Sequence, residues 1–159
     1  MNGLFLEDQK IGEAVVLGST RFTRDAILRF AGAWDPQAFH LDDAAARASP
    51  FGALCASGWH TAAEWMRCYV AYYNRCRKEL IERGAPAPEP GPSPGFANLR
   101  WPRPVYVDDE ITYSSIAVAT TILRSRPGWG MLHSDNRGIN QSGDSVLSFD
   151  GKVMARLRG

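Results

Sequence analysis

Hydrophobic positions follow two different periods along this chain, and the change of period divides it near the middle. In the first half, apolar residues recur every three or four positions, as in amphipathic helices. In the second half, β-branched residues form strand-length runs separated by turn signals. Residues 84–94 between them read GAPAPEPGPSP and cannot be helical, because proline lacks the amide donor. We therefore expect a single domain over residues 1–159, with a Pro/Gly-rich connector at 84–94.

The first half is predicted to open with a strand and a short helix. Residues 13–21 contain the apolar run AVVL and are expected to form the strand. A helix is expected over residues 24–33, because Thr23 can accept from a free amide of the first turn and Asp25 complements the positive helix end. The next proline ends this helix, since the residue before a proline avoids the α region. A short helix or turn follows at 42–47.

The longest helical pattern begins at Ser57 or Gly58. Apolar and polar positions alternate there with the period of a helix that has one buried face. At about 1.5 Å per residue, this helix spans roughly 30 Å, the width of a small domain, so we expect it to be the central core helix. The stripe assigned to its buried face is Ala62, Met66, Tyr69, Val70, Tyr73, Arg77 and Leu80.

The second half is predicted to be a sheet. Turn signals such as RPG at 126–128 and QSGD at 141–144 separate its apolar runs. Strands in this order are expected to form an antiparallel meander on which the long helix packs, which is an α+β arrangement. The strands are expected at residues 98–101, 110–123, 129–140 and 145–158.

Composition narrows the class of protein. A length of 159 residues suits one domain, and 45% hydrophobic with 22% charged residues is typical of a globular chain. Lys and Arg total 18 against 17 Asp and Glu, so the net charge of +1 gives no general attraction for nucleic acid. A run of 18 apolar residues is absent, which argues against a membrane span. We therefore expect neither nucleic acid nor a membrane as a partner.

Three cysteines, Cys55, Cys68 and Cys76, are an odd number without C-x-x-C spacing. This pattern argues against a disulfide framework or a zinc site. The segment Met1–Lys10 carries acidic residues where a signal peptide has an apolar core. These features favour a cytoplasmic protein without a metal. Motifs for nucleotide hydrolysis and for dinucleotide cofactors are also absent.

An acid and an imidazole lie close together in Asp35-Pro36-Gln37-Ala38-Phe39-His40. Pro36 favours a looped backbone, on which side chains five positions apart can converge. A carboxylate with an ordinary pKa of about 4 and an imidazole with one of about 6.5 could together hold a water and move its protons. A structural interpretation stays open, in which Asp35 caps the loop and His40 bonds a backbone carbonyl.

The start of the long helix offers a second candidate. Helix N-termini carry unpaired amides and roughly half a positive charge, so Gly58 would let a carbonyl oxygen approach the backbone and be stabilised there. Every helix start has such amides. A purely structural cap at Ser57 therefore stays open as the alternative.

The stretch from Phe22 to about Ala63, FTRDAILRFAGAWDPQAFHLDDAAARASPFGALCASGWHTAA, resembles the hydratase segment of MaoC-like proteins, the family of (R)-specific enoyl-CoA hydratases and acyl dehydratases. That family carries an Asp-x-Asn-Pro-x-His motif, then an acidic residue, a Phe-Gly pair and a His-Gly pair that opens a helix. The resemblance extends from about residue 5 to residue 157 and includes LRWPRPV at 99–105. The matching positions are Asp35, His40, Asp42, Phe51, Gly52 and Gly58.

The resemblance implies a hot-dog fold, in which an antiparallel sheet wraps a long central helix, and assembly as a homodimer or higher homo-oligomer. It implies reversible hydration of a trans-2-enoyl-CoA to a (R)-3-hydroxyacyl-CoA, a reaction of fatty acid metabolism without a cofactor beyond the coenzyme A of the substrate. Asp35 and His40 would hold the water, and the Gly58 amide would polarise the thioester carbonyl. The substrate-binding residues expected around them are Gln37, Phe51, Ser57, Trp59 and Arg103.

Three departures from the family motif leave other functions open. Gln37 stands where asparagine is usual, Ala38 where proline is usual, and Ser57 where histidine is usual. The acid and the imidazole are retained, so we expect a working enzyme, and the departures leave its substrate choice open. A hot-dog acyl-CoA thioesterase and a non-catalytic acyl-CoA-binding subunit are the alternatives.

Several other side chains have two interpretations each. The aromatic residues of the long helix either line an acyl tunnel or form core, and His60 either faces the site or packs inside. Four arginines either meet coenzyme A phosphates or end strands in solvent. The aromatic residues are Trp59, Trp65, Tyr69, Tyr72 and Tyr73, and the arginines are Arg100, Arg103, Arg124 and Arg126.

Overall fold

The computed structural model describes residues 4–158, so residues 1–3 and 159 of the expected domain lie outside the described part. Within residues 4–158 there are single 3-10 turns at Leu6–Asp8 and Ala38–His40, three α-helices and five strands. No helix in this range combines the length and the apolar character needed to cross a membrane. The elements are β1 (Ala14–Arg21), α1 (Arg24–Trp34), α2 (Asp43–Ala48), α3 (Gly58–Glu82), β2 (Gly95–Arg100), β3 (Glu110–Ile122), β4 (Trp129–Ile139) and β5 (Ser145–Arg156).

Side-chain caps explain where the three α-helices begin. Thr23, Asp42 and Ser57 each stand before the first residue of a helix, and each side chain accepts from a backbone amide of the first turn. The helix predicted at 24–33 is confirmed and continues one residue further, to Trp34. The long helix is also confirmed and begins at Gly58.

The five strands form one antiparallel sheet in the order β1-β3-β4-β5-β2. The predicted meander is confirmed for β3, β4 and β5. It is wrong for β2, which pairs with β5 rather than with β3, because residues 101–109 carry the chain across the sheet before β3 begins. Strands β1 and β2 are therefore the two edges, and the predicted α+β class is confirmed.

Helix α3 packs on the sheet through a face that differs from the predicted one. Trp65 and Cys68 are buried on this face, and the Trp65 indole N–H donates to the Ser114 carbonyl of β3 at 3.2 Å. The predicted stripe is wrong at Met66 and Val70, which remain 50% and 47% exposed. Two apolar stripes run along α3, and the one that carries the large Trp65 ring removes more apolar surface from water.

The segment at 85–94 forms neither helix nor strand and joins the two layers at one end. The Tyr73 hydroxyl of α3 donates to the Pro88 carbonyl at 3.1 Å, and the Met154 amide of β5 donates to the Pro92 carbonyl at 3.0 Å. The connector is thus bonded to both the helix and the sheet. It borders the space between them at the C-terminal half of α3.

Candidate active site

A cleft of about 470 Å³ opens beside the N-terminus of α3. Its walls come from the loop after α1, the segment before α3, the first turn of α3, and the loop between β2 and β3. The structure brings all the site residues expected from the sequence to this cleft: Asp35, Gln37, His40, Phe51, Ser57, Gly58, Trp59 and Arg103.

Asp35 and His40 converge because the chain turns sharply after α1. The Asp35 amide donates to the Ala31 carbonyl at 2.9 Å and ends the helix, and Pro36 then prevents its continuation. The His40 amide donates to the Gln37 carbonyl at 2.9 Å in the following 3-10 turn. As a result His40 Nε2 lies 3.6 Å from Asp35 Oδ2, and the imidazole is only 5% exposed.

The tautomer of His40 is set by a backbone carbonyl. His40 Nδ1 lies 2.7 Å from the carbonyl oxygen of Cys55, and because a carbonyl only accepts, Nδ1 must carry the proton. Cys55 is itself held by an antiparallel bridge to Tyr106. The lone pair of a neutral His40 is therefore on Nε2, directed toward Asp35.

The Cys55 thiol is not suited to nucleophilic work. It lies 3.8 Å from His40 Nδ1, and burial raises its pKa to about 11. A thiol with such a pKa stays protonated near neutral pH, whereas the thiolate is the nucleophilic form. Cys55 contributes its carbonyl oxygen to the site rather than its sulfur.

The Asp35 carboxylate is held by two residues that differ from the family motif. Gln37 Nε2 donates to Asp35 Oδ1 at 2.8 Å, which leaves Oδ2 to face His40. Burial pushes the Asp35 pKa up, but hydrogen bonding from Ser57 and Gln37 and the charge of His40 outweigh it, so the pKa is below its usual value. Asp35 is therefore ionised at neutral pH.

Gly58 places the first turn of α3 against an aromatic ring. A Cβ at this position would lie 2.5 Å from Cδ2 of Trp101, so the close approach requires glycine. Trp101 also meets Trp59 edge to face, with centroids 5.1 Å apart. The Gly58 amide belongs to the helix end whose amides lack intrahelical acceptors, and it makes no hydrogen bond to residues 4–158. This N–H is available to a ligand oxygen.

Four residues that shape the cleft had no catalytic or binding role predicted from the sequence. Cys55 acts through its backbone, which carries no residue-type signal. Thr61 lies one turn into α3, and Trp101 stood in the resembling segment without an assigned role. The Tyr106 hydroxyl donates to the Phe51 carbonyl at 2.9 Å and fixes the cleft wall.

The candidate phosphate-binding arginines are widely separated. Arg103 lines the cleft with an exposed side chain and lies 3.5 Å from Asp144. Arg100 lines a separate polar depression on the sheet. Arg124 and Arg126 follow the far end of β3, whose 13 residues span about 40 Å from the end near the cleft. The structure does not bring these last two to the site.

His60 lies just behind the cleft and does not line it. Its ring stacks on Phe30 at 4.4 Å and meets Phe22 edge to face at 4.8 Å. Burial lowers its pKa, the charge of Glu64 opposes this shift, and Arg29 adds to it. The packing interpretation of His60 is therefore the correct one.

The structure is similar to that of a MaoC-like dehydratase from Rhodospirillum rubrum, with a TM-score of 0.82 and 38% sequence identity over 99% of both chains. The chain belongs to the MaoC-like dehydratase family. The family resemblance seen in the sequence is thereby confirmed. The uncharacterized protein YdeM of Bacillus subtilis is a relative of this MaoC-like chain. The two are 30% identical over 106 residues, which are 67% of each chain.

More distant structures show the fold of this MaoC-like protein. A monoamine oxidase regulatory protein from Archaeoglobus fulgius has a TM-score of 0.80 at 22% identity, covering 100% of this chain and 98% of its own. The (R)-hydratase of A. caviae has a TM-score of 0.64 at 22% identity, covering 94% and 97%. The predicted hot-dog fold is confirmed. No protein-family model matches the chain. Residues 4–158 contain no cluster of three or more His, Cys, Asp or Glu side chains that could hold a metal ion.

Proposed function

We propose that this protein is a hydratase/dehydratase that reversibly adds water to a trans-2-enoyl-CoA to give a (R)-3-hydroxyacyl-CoA. The observation that carries the proposal is the pair of acceptor atoms, Asp35 Oδ2 and His40 Nε2, 3.6 Å apart in the cleft. Membership of the MaoC-like dehydratase family supports the same class of reaction.

A water molecule suits the chemistry of this pair. In the neutral imidazole, His40 Nε2 presents a lone pair because Nδ1 carries the proton, and the ionised Asp35 carboxylate also only accepts. Two acceptors so close together are stabilised by a donor that bonds both, and water has two O–H groups. Such a water keeps its oxygen lone pairs free to attack C3 of the enoyl group.

The protons balance with these two residues alone. As the C3–O bond forms, the water gives one proton to His40 Nε2, and the imidazolium then delivers it to C2 of the enolate. Asp35 orients the second O–H of the water, which remains on C3 as the product hydroxyl, and stabilises the imidazolium. The reverse sequence removes water from the hydroxyacyl form.

The start of α3 suits the charge that develops on the thioester. Addition at C3 moves electrons onto the carbonyl oxygen, and the Gly58 amide offers a donor at the positive end of a 25-residue helix. The Trp101 ring covers Gly58 on one side and reduces access of bulk water. A drier site strengthens the hydrogen bond to the developing oxyanion.

Coenzyme A would enter as part of the substrate, and we infer no other cofactor. Arg103 is the candidate for its phosphates, because it combines a place in the cleft wall with an exposed guanidinium. The three cysteines are free and buried, which agrees with a reducing compartment, so we propose a cytoplasmic location.

We infer that two copies assemble as a homodimer. Strand β2 is an edge of the sheet, and an unpaired edge offers backbone groups to another strand. Large apolar side chains are also exposed, Phe96 on β2 and Trp59, Met66 and Val70 on α3. Sedimentation should give twice the mass of the chain, and Phe96→Glu should shift it toward one copy. A monomeric native protein at micromolar concentration would contradict the inference.

The test of the reaction is loss of enoyl absorbance with crotonyl-CoA and longer enoyl-CoA substrates. Asp35→Asn and His40→Ala should each lower kcat by at least about 100-fold, the scale of a lost acid–base group. His133→Ala is the matched control, because the same change is made on β4 away from the cleft, and it should keep the native rate within about threefold. Equal activity of the native protein and the two cleft variants would refute the proposal.

The same assay separates the two alternatives. A thioesterase would release free thiol, which a thiol reagent detects, without the enoyl absorbance changing first. A non-catalytic acyl-CoA-binding subunit would bind butyryl-CoA in calorimetry and turn over neither substrate. Hydration that depends on Asp35 and His40 excludes both.

A further inference from the structure

A second cavity lies between α3 and the sheet, beyond the cleft described above. It holds about 100 Å³ and is bordered by the connector at one end. Its lining is mostly apolar and includes Tyr69, Tyr72, Ala117, Leu132 and Val153. Among residues 4–158, none lines both this cavity and the catalytic cleft. The interior of the helix–sheet layer is thus divided into two compartments.

Trp65 lines neither compartment, but on α3 it lies between a residue of the cleft and a residue of the second cavity. Thr61, Trp65 and Tyr69 are four residues apart on α3 and therefore share one helix face. Thr61 lines the cleft and Tyr69 lines the second cavity, about 12 Å further along the helix axis. The aromatic residues of α3 consequently do not line one continuous tunnel.

The Trp65 ring is fixed from three sides. Its N–H donates to the Ser114 carbonyl of β3 at 3.2 Å, and its face stacks on Tyr69 with centroids 5.2 Å apart. Phe149 of β5 meets it edge to face at 4.8 Å. Trp65 is only 5% exposed, so the indole fills the gap from helix to sheet. Moving it would leave the indole N–H of a buried side chain without its acceptor.

We propose that Trp65 determines acyl-chain length, by filling the space between the cleft and the second cavity so that short acyl chains fit and long ones do not. The proposal rests on the proposed function only in taking an acyl thioester as the ligand. With the carbonyl oxygen at the Gly58 amide, an acyl chain that follows the inner face of α3 passes Thr61 and then meets the indole. The second cavity is space that a longer chain would use if Trp65 were smaller.

The experiment measures binding and turnover over a series of chain lengths. Calorimetry with butyryl-CoA and decanoyl-CoA gives a Kd ratio that needs no catalysis, and crotonyl-CoA and trans-2-decenoyl-CoA give the kcat/KM ratio. The native protein should favour the short member of each pair by at least about tenfold, the scale of a misfitting apolar pocket. Trp65→Leu should shift both ratios toward the long chain by about tenfold or more.

Two further variants show whether the partition or the cavity volume matters. Leu132→Ala enlarges the second cavity but leaves Trp65 in place, so both ratios should stay native. Trp65→Leu combined with Val153→Phe opens the partition but fills the space behind it, so the gain for the long chain should be lost. Circular dichroism and thermal melting establish that each variant is folded before its ratios are measured.

The native protein alone can overturn the proposal, whatever the variants do. Equal Kd values for butyryl-CoA and decanoyl-CoA would mean that the chain leaves the cleft by another route. A folded Trp65→Leu protein with native ratios would overturn it as well. Short-chain selectivity in binding without any turnover would refute the proposed reaction and still support the role of Trp65, so the two failures are distinguishable.

Discussion

Two histidines lie near the start of α3, and they are equally buried but differently used. His40 is 5% exposed and His60 is 6% exposed. Both nitrogens of His40 face polar atoms, Nδ1 the Cys55 carbonyl and Nε2 the Asp35 carboxylate. His60 lies between Phe22 and Phe30, and its Nδ1 has no hydrogen-bond partner among residues 4–158.

The difference shows what turns a buried imidazole into a reactive one. A carbonyl that fixes the tautomer and an acid that faces the other nitrogen make His40 a base with a defined direction. Aromatic rings on both sides make His60 a packing element whose charged form is disfavoured. Burial alone does not separate the two, whereas the atoms that face each nitrogen do.

Replacing each histidine by phenylalanine should give the largest difference in kcat between the two positions. His40→Phe keeps an aromatic ring but removes the base, and we expect kcat for enoyl-CoA hydration to fall by about 100-fold to 10,000-fold. His60→Phe should keep kcat within about threefold, because the ring does not line the cleft. Steady-state kinetics on both variants measure the contrast. Similar losses of kcat at the two positions would contradict the different roles assigned to the two histidines.

Replacing Gly58 at the start of α3 should have the next largest effect on kcat. Gly58→Ala puts a Cβ 2.5 Å from Trp101, so the indole must move and the amide loses its ordered surroundings. We expect kcat to fall about tenfold to 100-fold with a smaller change in KM, as for a weakened oxyanion contact. Trp101→Leu in the same chain makes room and should restore part of kcat. A native kcat in Gly58→Ala would mean that the amide plays no part.

A smaller effect is expected on the protonation of Asp35. Ser57 and Gln37 lower the Asp35 pKa, so the carboxylate stays ionised to more acidic pH. Ser57→Ala and Gln37→Ala should each raise that pKa, which a carboxyl-carbon NMR titration of the folded protein measures, with activity at pH 8 changed by no more than about threefold. Because Ser57 also caps α3, its loss should cost about 1 kcal/mol of stability.

A second helix cap provides the control for that experiment. Thr23→Ala removes an N-cap hydroxyl from α1 without touching the acid. It should therefore lower the free energy of unfolding by a similar amount, about 1 kcal/mol. The Asp35 pKa should stay where it is in the native protein. A shift with Thr23→Ala, or none with both Gln37→Ala and Ser57→Ala, would contradict the assignment.

The features of the site could be predicted from the sequence to different extents. The convergence of Asp35 and His40 could be expected, because a proline inside the motif forces a loop. The carbonyl of Cys55 could not, since every residue has one and only the fold decides which is near. The contact of Gly58 with Trp101 joins positions far apart in the chain, and no local pattern reports it.

The fold was predictable to a similar limit. Local caps and periods are sufficient to locate α3 and the strands, because they depend on neighbouring residues. The face that α3 buries could not be predicted in this way. Met66 and Trp65 belong to two apolar stripes with the same period, and tertiary packing decides which stripe is buried. The place of β2 beside β5 likewise depends on a long-range pairing rather than on its own residues.

The smallest effect is expected in the acid sensitivity of folding. Burial lowers the pKa of His60 in the folded protein, whereas in the unfolded chain the imidazole takes up a proton at its ordinary pKa. The unfolded state therefore binds more protons, and His60 lowers stability as pH falls through the ordinary range of histidine. Urea unfolding at pH 7.5 and pH 5.5 should show a smaller acid loss for His60→Phe than for the native protein. The same loss in both would mean that His60 is already solvated enough to protonate in the folded state, and its contrast with His40 would then rest on position alone.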